Sequence, residues 1–195
     1  MAFTENLMSV LTFKKDGMGK LANDTGATVP AILIVLLQSL IGSLPVLNLY
    51  LKATTDAQKT IYAGSLITAF FLTLLIFFVL SGIMAFVLRG FGGTATMIQS
   101  LRVYGFTSVF GLIGSILDLT LSVVSPSTNL GFSLSFLLGL VGLVAFIIAL
   151  TSFSGLGIGS AIFAVIIAYI IALIIAFVLV FILIILLVAI IVAAL

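Results

Sequence analysis

A chain of 195 residues that is 64% hydrophobic and 6% charged, with a mean hydropathy of +1.55, cannot dress itself in a water-compatible surface, because a soluble domain has about a quarter of its residues charged. Cys and His are both absent, which removes disulfides, thiolate metal sites, the commonest metal ligand and the usual general base, so neither a catalytic triad nor a metal or other cofactor is expected. The net charge of +2 comes from Lys and Arg close to the ends of apolar runs, a pattern suited to anionic lipid headgroups and not to nucleic acid.

Inside a bilayer every backbone polar group must be bonded within its own helix or around a closed barrel, and the apolar runs here are about twice the ~10 residues of a barrel strand. The expected fold class is therefore all-α: a polytopic transmembrane helical bundle of about five spans. Residues 1–28 form a cytosolic, amphipathic N-terminal segment and residues 29–195 the transmembrane domain. Phe3, Leu7, Val10 and Leu11 recur at helical spacing ahead of Lys14 and Lys15. That segment is either an interfacial helix, with Lys14, Lys15 and Lys20 at headgroups, or a loosely ordered tail. Its polarity argues against a signal peptide. Asn23-Asp24-Thr25-Gly26 is a turn signal, and Thr28 with Pro30 starts the next helix.

The first span covers residues 29–51, interrupted by Gly42 and Pro45 and ending on Tyr50 and Lys52 at the interface. A polar loop over 53–60 precedes a second span over 61–88, longer than the ~20 residues a crossing needs. Arg89-Gly90-Phe91-Gly92-Gly93 breaks the chain, and Thr94 or Thr96 caps the next helix, with Gln99 three residues after Thr96 as in a capping box. The first turns of that helix are expected at the interface, with the third span over 105–124. A turn at 125–129, a fourth span over 130–150 and a break at 151–159 follow. Residues 160–195 contain no charge, Gly or Pro. As one helix they reach about 54 Å, and a second crossing would need a turn with no residue to satisfy its freed backbone, so one tilted or protruding helix is expected. Lys14, Lys15, Lys20, Arg89 and Arg102 fall on one side and Lys52 and Lys59 on the other, placing the N-terminus inside and the C-terminus outside.

Asp118 is the one acidic residue within a span, and such a group costs about 2.5–3.5 kcal/mol at the bilayer centre. It lies about 10 Å before Ser125 along a helix, near enough to the outer interface to stay wet. Gly111, Ser115, Asp118 and Ser122 form one small and polar stripe at helical spacing. The stripe is either a proton or cation site or, as is commoner, a hydrogen-bonded packing surface. Gln38 and Asn48 flank Gly42 and Pro45; they line a cavity or bond across helices. Ser160, Ala164, Ala168, Ala172 and Ala176 repeat every fourth residue as a ridge for close helix packing, facing Ser135, Gly139 and Gly142 of the fourth span or a second copy of the chain. Gly92-Gly93 lacks the Lys-Ser/Thr or Rossmann spacing of a nucleotide-binding loop.

The stretch from Arg89 to Thr94, with Gly92-Gly93, and the Gln99-Ser100-Leu101-Arg102-Val103-Tyr104-Gly105 run that follows resemble the central signature of the Yip (Ypt/Rab-interacting protein) domain family. The layout is similar too: a polar cytosolic start, five spans, and Ser154-Gly155-Leu156-Gly157-Ile158-Gly159 before the last. The resemblance implies a role in membrane organisation and trafficking-type partner binding. The long N-terminal domain and Asp-Leu-Tyr-Gly-Pro motif of the eukaryotic members are missing, which argues against Rab-type GTPase binding and for a compact, prokaryotic-type member in the plasma membrane. The expected function is thus a non-enzymatic multi-pass membrane protein whose partners are the bilayer and another protein or a second copy. The alternative is a small ion or proton channel or transporter using Asp118.

Overall fold

The computed structural model describes residues 2–124 and 130–194, the side chains of Ser122, Val123, Ala176, Leu179, Val180 and 182–194 apart. The helices are α1 (Phe3–Leu11), α2 (Lys15–Asn23), α3 (Thr28–Lys52), α4 (Asp56–Gly90), α5 (Met97–Thr107), α6 (Val109–Val124), α7 (Leu130–Ser154) and α8 (Ile158–Ala194), with a 3-10 turn at Thr25–Ala27. No strand occurs among the described residues. Five stretches are long and apolar enough to cross a membrane: Thr25–Lys52, Asp56–Gly90, Met97–Leu121, Leu130–Ser154 and Ile158–Ile175. The chain is an all-α, multi-pass membrane bundle.

Local chemistry explains most boundaries. The capping box forms: Gln99 N–H donates to Thr96 Oγ1 at 3.2 Å and Thr96 N–H to Gln99 Oε1 at 2.8 Å, a cap contributing about 1 kcal/mol. The loop expected over 53–60 is shorter, because Thr55 accepts from Gln58 N–H at 3.3 Å and starts α4 at Asp56, an acid favoured beside a helix N-terminus. Pro45 lies within α3, which continues to Lys52. α8 is one helix of 37 residues, about 55 Å long against a hydrocarbon layer of about 30 Å, so no sixth crossing is made. The turn expected at 125–129 lies outside the described residues.

α5 departs from expectation. Met97 and Ile98 are exposed, but Ser100, Leu101, Arg102, Val103, Gly105, Phe106 and Thr107 are all buried. The segment is thus covered by protein, and together with α6 it forms one stretch, Met97–Leu121, long and apolar enough to cross a membrane. Ser108 N–H bonds the Tyr104 carbonyl and Leu112 N–H the Ser108 carbonyl, both at 2.9 Å, so the ladder carries on from α5 into α6. α3 packs on α4, α5 and α6, α6 on α7, and α8 chiefly on α4 with a smaller contact to α7. The core runs through Phe77, Met84 and Leu88 of α4, Phe106 of α5, and Phe146 and Leu150 of α7.

The N-terminal helices form a hairpin docked on one end of this bundle. Val10, Met18, Leu21 and Ala22 are wholly buried in the common core. Phe3 meets Phe106 with ring centres 5.8 Å apart, and Phe13, at the bend between α1 and α2, meets Phe110 at 5.9 Å. The apolar face that an interfacial helix turns into lipid is here turned onto protein, because the bundle end offers it aromatic partners. Asn6 Nδ2 donates to Asp24 Oδ2 at 2.9 Å, and Asp24 Oδ1 accepts from Gly26 N–H at 3.0 Å. The Asn6 bond is the main cause holding the Asp24 carboxyl below its ordinary 3.8. A carboxyl depressed on folding stabilises above its unfolded pKa, and that contribution is lost as pH falls through the folded value. Hydrogen exchange of α1, corrected for intrinsic rate, is therefore expected to stay constant from about pH 7 to pH 5 and to lose protection below about pH 4, a step that Asp24→Asn abolishes.

Candidate functional site

The residues of the glycine-pair loop and α5 make a joint. Gly92 has φ +88°, in the left-handed region open to glycine. Gly93 N–H donates to the Leu88 carbonyl at 2.9 Å, and a Cβ added there would lie 2.9 Å from that oxygen and 3.1 Å from the Ser154 carbonyl. Thr94 N–H bonds the same Ser154 carbonyl at 3.2 Å, bringing the link before α8 to the same end of the bundle. Arg89 Nε closes the loop onto the Ala95 carbonyl at 2.8 Å.

From α5, two residues clasp the connection between α2 and α3. Gln99 Nε2 donates to Asn23 Oδ1 at 2.8 Å. Arg102, only 8% exposed, donates through Nε to Thr28 Oγ1 at 2.8 Å and through Nη1 to the Ala22 carbonyl at 2.9 Å. A guanidinium suits this place because its planar fork holds two acceptors at once. Gly105 brings α5 onto α3: an added methyl would sit 2.6 Å from Ala31 Cβ and 2.7 Å from its carbonyl oxygen. Between them Tyr104 lies among aromatic rings, its centre 5.5 Å from Phe77 and 5.4 Å from Phe146.

Deeper in the bundle is a cavity of about 180 Å3 lined by Gln38, Thr107, Ser108, Gly111, Gly139 and Gly142, together with Tyr104, Leu143, Phe146 and Tyr169. The Gln38 amide lies over Gly111 and has no hydrogen-bond partner among the described residues. Thr107 Oγ1 donates to the Tyr104 carbonyl at 3.0 Å and Ser108 Oγ to the Gly105 carbonyl at 2.6 Å, which leaves their lone pairs as acceptors. Tyr104 of α5 and Tyr169 of α8 bring two phenols to the cavity wall.

Among the described residues, Gln38 is the one intramembrane polar candidate that lines this space. Asp118 is half-buried against α7, where a methyl on Gly131 would come 2.6 Å from its Oδ1. Ser115 Oγ bonds its own helix at Gly111 O, 3.0 Å away, and Asn48 is exposed on α3. The Ser122 side chain lies outside the described residues. On α8, Ala164 and Ala168 are wholly buried beside Ala161, while Ser160 and Ala172 are half-buried and the Ala176 side chain is outside the description. Ala164 and Ala168 have no exposed surface, so the middle of the ridge is not free for a second copy, and α8 as a whole packs more on α4 than on α7. Ser135 instead donates to the Gly114 carbonyl of α6 at 2.6 Å, and Gly142 approaches Phe110 and Thr107.

No family model, curated protein or solved structure matches the chain. The cavity is lined by neutral hydrogen-bonding and apolar groups, and Asp118 lies apart from it against α7. Among the described residues no group of three His, Cys, Asp or Glu is placed to hold a metal. Thr107, Ser108, Leu143, Phe146 and Tyr169 are cavity residues that sequence reasoning did not single out, Tyr169 being the most informative. Its signal was a phenol within a long aliphatic run, since a hydroxyl in the membrane needs a partner.

Proposed function

We propose that this is a non-enzymatic multi-pass membrane protein of Yip type, acting in a prokaryotic plasma membrane by organising the bilayer and binding a partner at its cytosolic end. The observation that carries the reading is the hairpin of α1 and α2 held on the bundle by Gln99 and Arg102. It sets Lys14, Lys15, Asp16 and Lys20 on an exposed platform, with a groove of about 590 Å3 between α2 and Ser152 of α7. A folded, charged platform beside a lipid surface is suited to polar recognition and electrostatic steering. The separation of Asp118, Gln38 and Asn48 speaks against a transport pathway, which needs its polar groups in one wet space.

Two measurements test the proposal. Proteoliposomes are expected to keep imposed proton and potassium gradients, and a cytoplasm-only reporter is expected to work at the N-terminus but not when fused to Leu195. A flux that disappears in Asp118→Asn would overturn the reading in favour of the channel, and an active reporter at Leu195 would overturn the orientation.

A further inference from the structure

We propose that the intramembrane cavity is a binding site for the head of a neutral, membrane-soluble alcohol, with its hydrocarbon tail left in the bilayer. Depth is the first argument. Gln38 lies about 15 Å into α3 from Thr28, half of a hydrocarbon layer of about 30 Å, and Gly139 and Gly142 lie midway along α7. A charged or zwitterionic headgroup loses its hydration at that depth, whereas a neutral alcohol crosses it freely.

Access is the second argument. Gly139 is exposed, and a Cβ added there would meet nothing within 4 Å, while Tyr169 is 41% exposed. The cavity thus opens sideways to lipid, between the glycines of α7 and the Tyr169 side of α8, and not toward water. Leu143 and Phe146 supply an apolar wall for the first carbons of a tail.

The third argument is the hydrogen-bond inventory. The Gln38 amide offers both donor and acceptor and is unpartnered among the described residues. The phenols of Tyr104 and Tyr169 at the wall each bring an O–H, and the Thr107 and Ser108 oxygens keep free lone pairs. A guest that both donates and accepts satisfies this set, and a hydroxyl does so with one atom. A ketone or ether leaves the acceptors unmatched, which buried polar groups penalise.

The test is equilibrium binding of radiolabelled farnesol and of dioctanoylglycerol to the full chain in phosphatidylcholine nanodiscs. At least one alcohol is expected to bind about tenfold more tightly to the wild type than to Gly139→Leu, which fills the open mouth, and farnesyl methyl ether about fivefold more weakly than farnesol. Tyr169→Phe, which keeps the ring, and Gln38→Leu should each weaken binding with helicity unchanged. Farnesol alone binding assigns an isoprenoid source, the glyceride alone a glyceride source, and both the shared hydroxyl chemistry. Binding by neither, equal binding to Gly139→Leu, an ether as good as the alcohol, or tighter binding of farnesyl phosphate overturns the proposal.

Discussion

Gly105→Ala is expected to destabilise the bundle by about 1–3 kcal/mol, as overpacking of a well-filled contact does. Two effects compete. Helix propensity favours Ala over Gly by about 1 kcal/mol, but the new methyl would lie 2.6 Å from Ala31 Cβ, 2.7 Å from its oxygen and 2.8 Å from its carbonyl carbon. Two of those three atoms are backbone and have no rotamer to retreat into, so α5 and α3 must separate and packing outweighs propensity. Gly139→Ala provides the contrast, since nothing lies within 4 Å of a Cβ there; it should be neutral or slightly stabilising. Denaturant titration in mild detergent, followed by far-UV circular dichroism, separates the two. Adding Ala31→Gly should rescue Gly105→Ala only in part, because the backbone contacts remain. Equal stability of the two Gly→Ala variants would mean that α5 and α3 do not meet at Gly105.

Arg102→Met is expected to release the α1–α2 hairpin while leaving the five spans folded. The guanidinium bonds Thr28 Oγ1 and the Ala22 carbonyl, and hydrogen bonds from a charged group contribute about 1.5–3 kcal/mol each. Part of that is offset because Met brings no charge to desolvate, which leaves a net loss on the order of 2 kcal/mol. Trypsin cleavage after Lys14, Lys15 and Lys20 should accelerate about tenfold or more, since about 1.4 kcal/mol corresponds to a factor of ten. Arg102→Lys keeps the charge but not the fork and should fall between. Unchanged cleavage would show that the apolar contacts of Phe3, Phe13 and Met18 hold the hairpin by themselves.

The sites differ in how far they could be read from residues alone. The Thr96–Gln99 capping box was legible because its partners are three residues apart, a distance that helical geometry converts directly into contact. The glycine pair was legible as a turn, but not as the place where the loop meets Ser154, a contact sixty residues away in the chain. Arg102 reads as an interfacial cation by its neighbours Met97 and Ile98, and only the docking of α2 supplies acceptors that let it be buried. The stripe of Gly111, Ser115 and Asp118 is a real helix face, yet its members serve different neighbours, Gln38 of α3 at one end and Gly131 of α7 at the other. Small residues at period four mark α8 as a packing helix, but period does not name the partner, and α8 as a whole packs on both α4 and α7, more on α4.

By itself the sequence determined that the chain is helical, that it has five helices long and apolar enough to cross a bilayer, and that its last helix is too long for one layer. These follow from composition and run length, since a bilayer leaves no backbone group unbonded and so converts every long apolar run into a helix. The tertiary structure alone decided which side of each helix meets protein and which meets lipid. In water a helix advertises its buried face by polarity, but lipid tails and a protein core are equally apolar, so that signal is absent along α4, α7 and α8. Contact there is settled by shape and by isolated polar groups: the missing side chain of Gly105, the two-armed grip of Arg102, and the phenol of Tyr169 at the cavity wall.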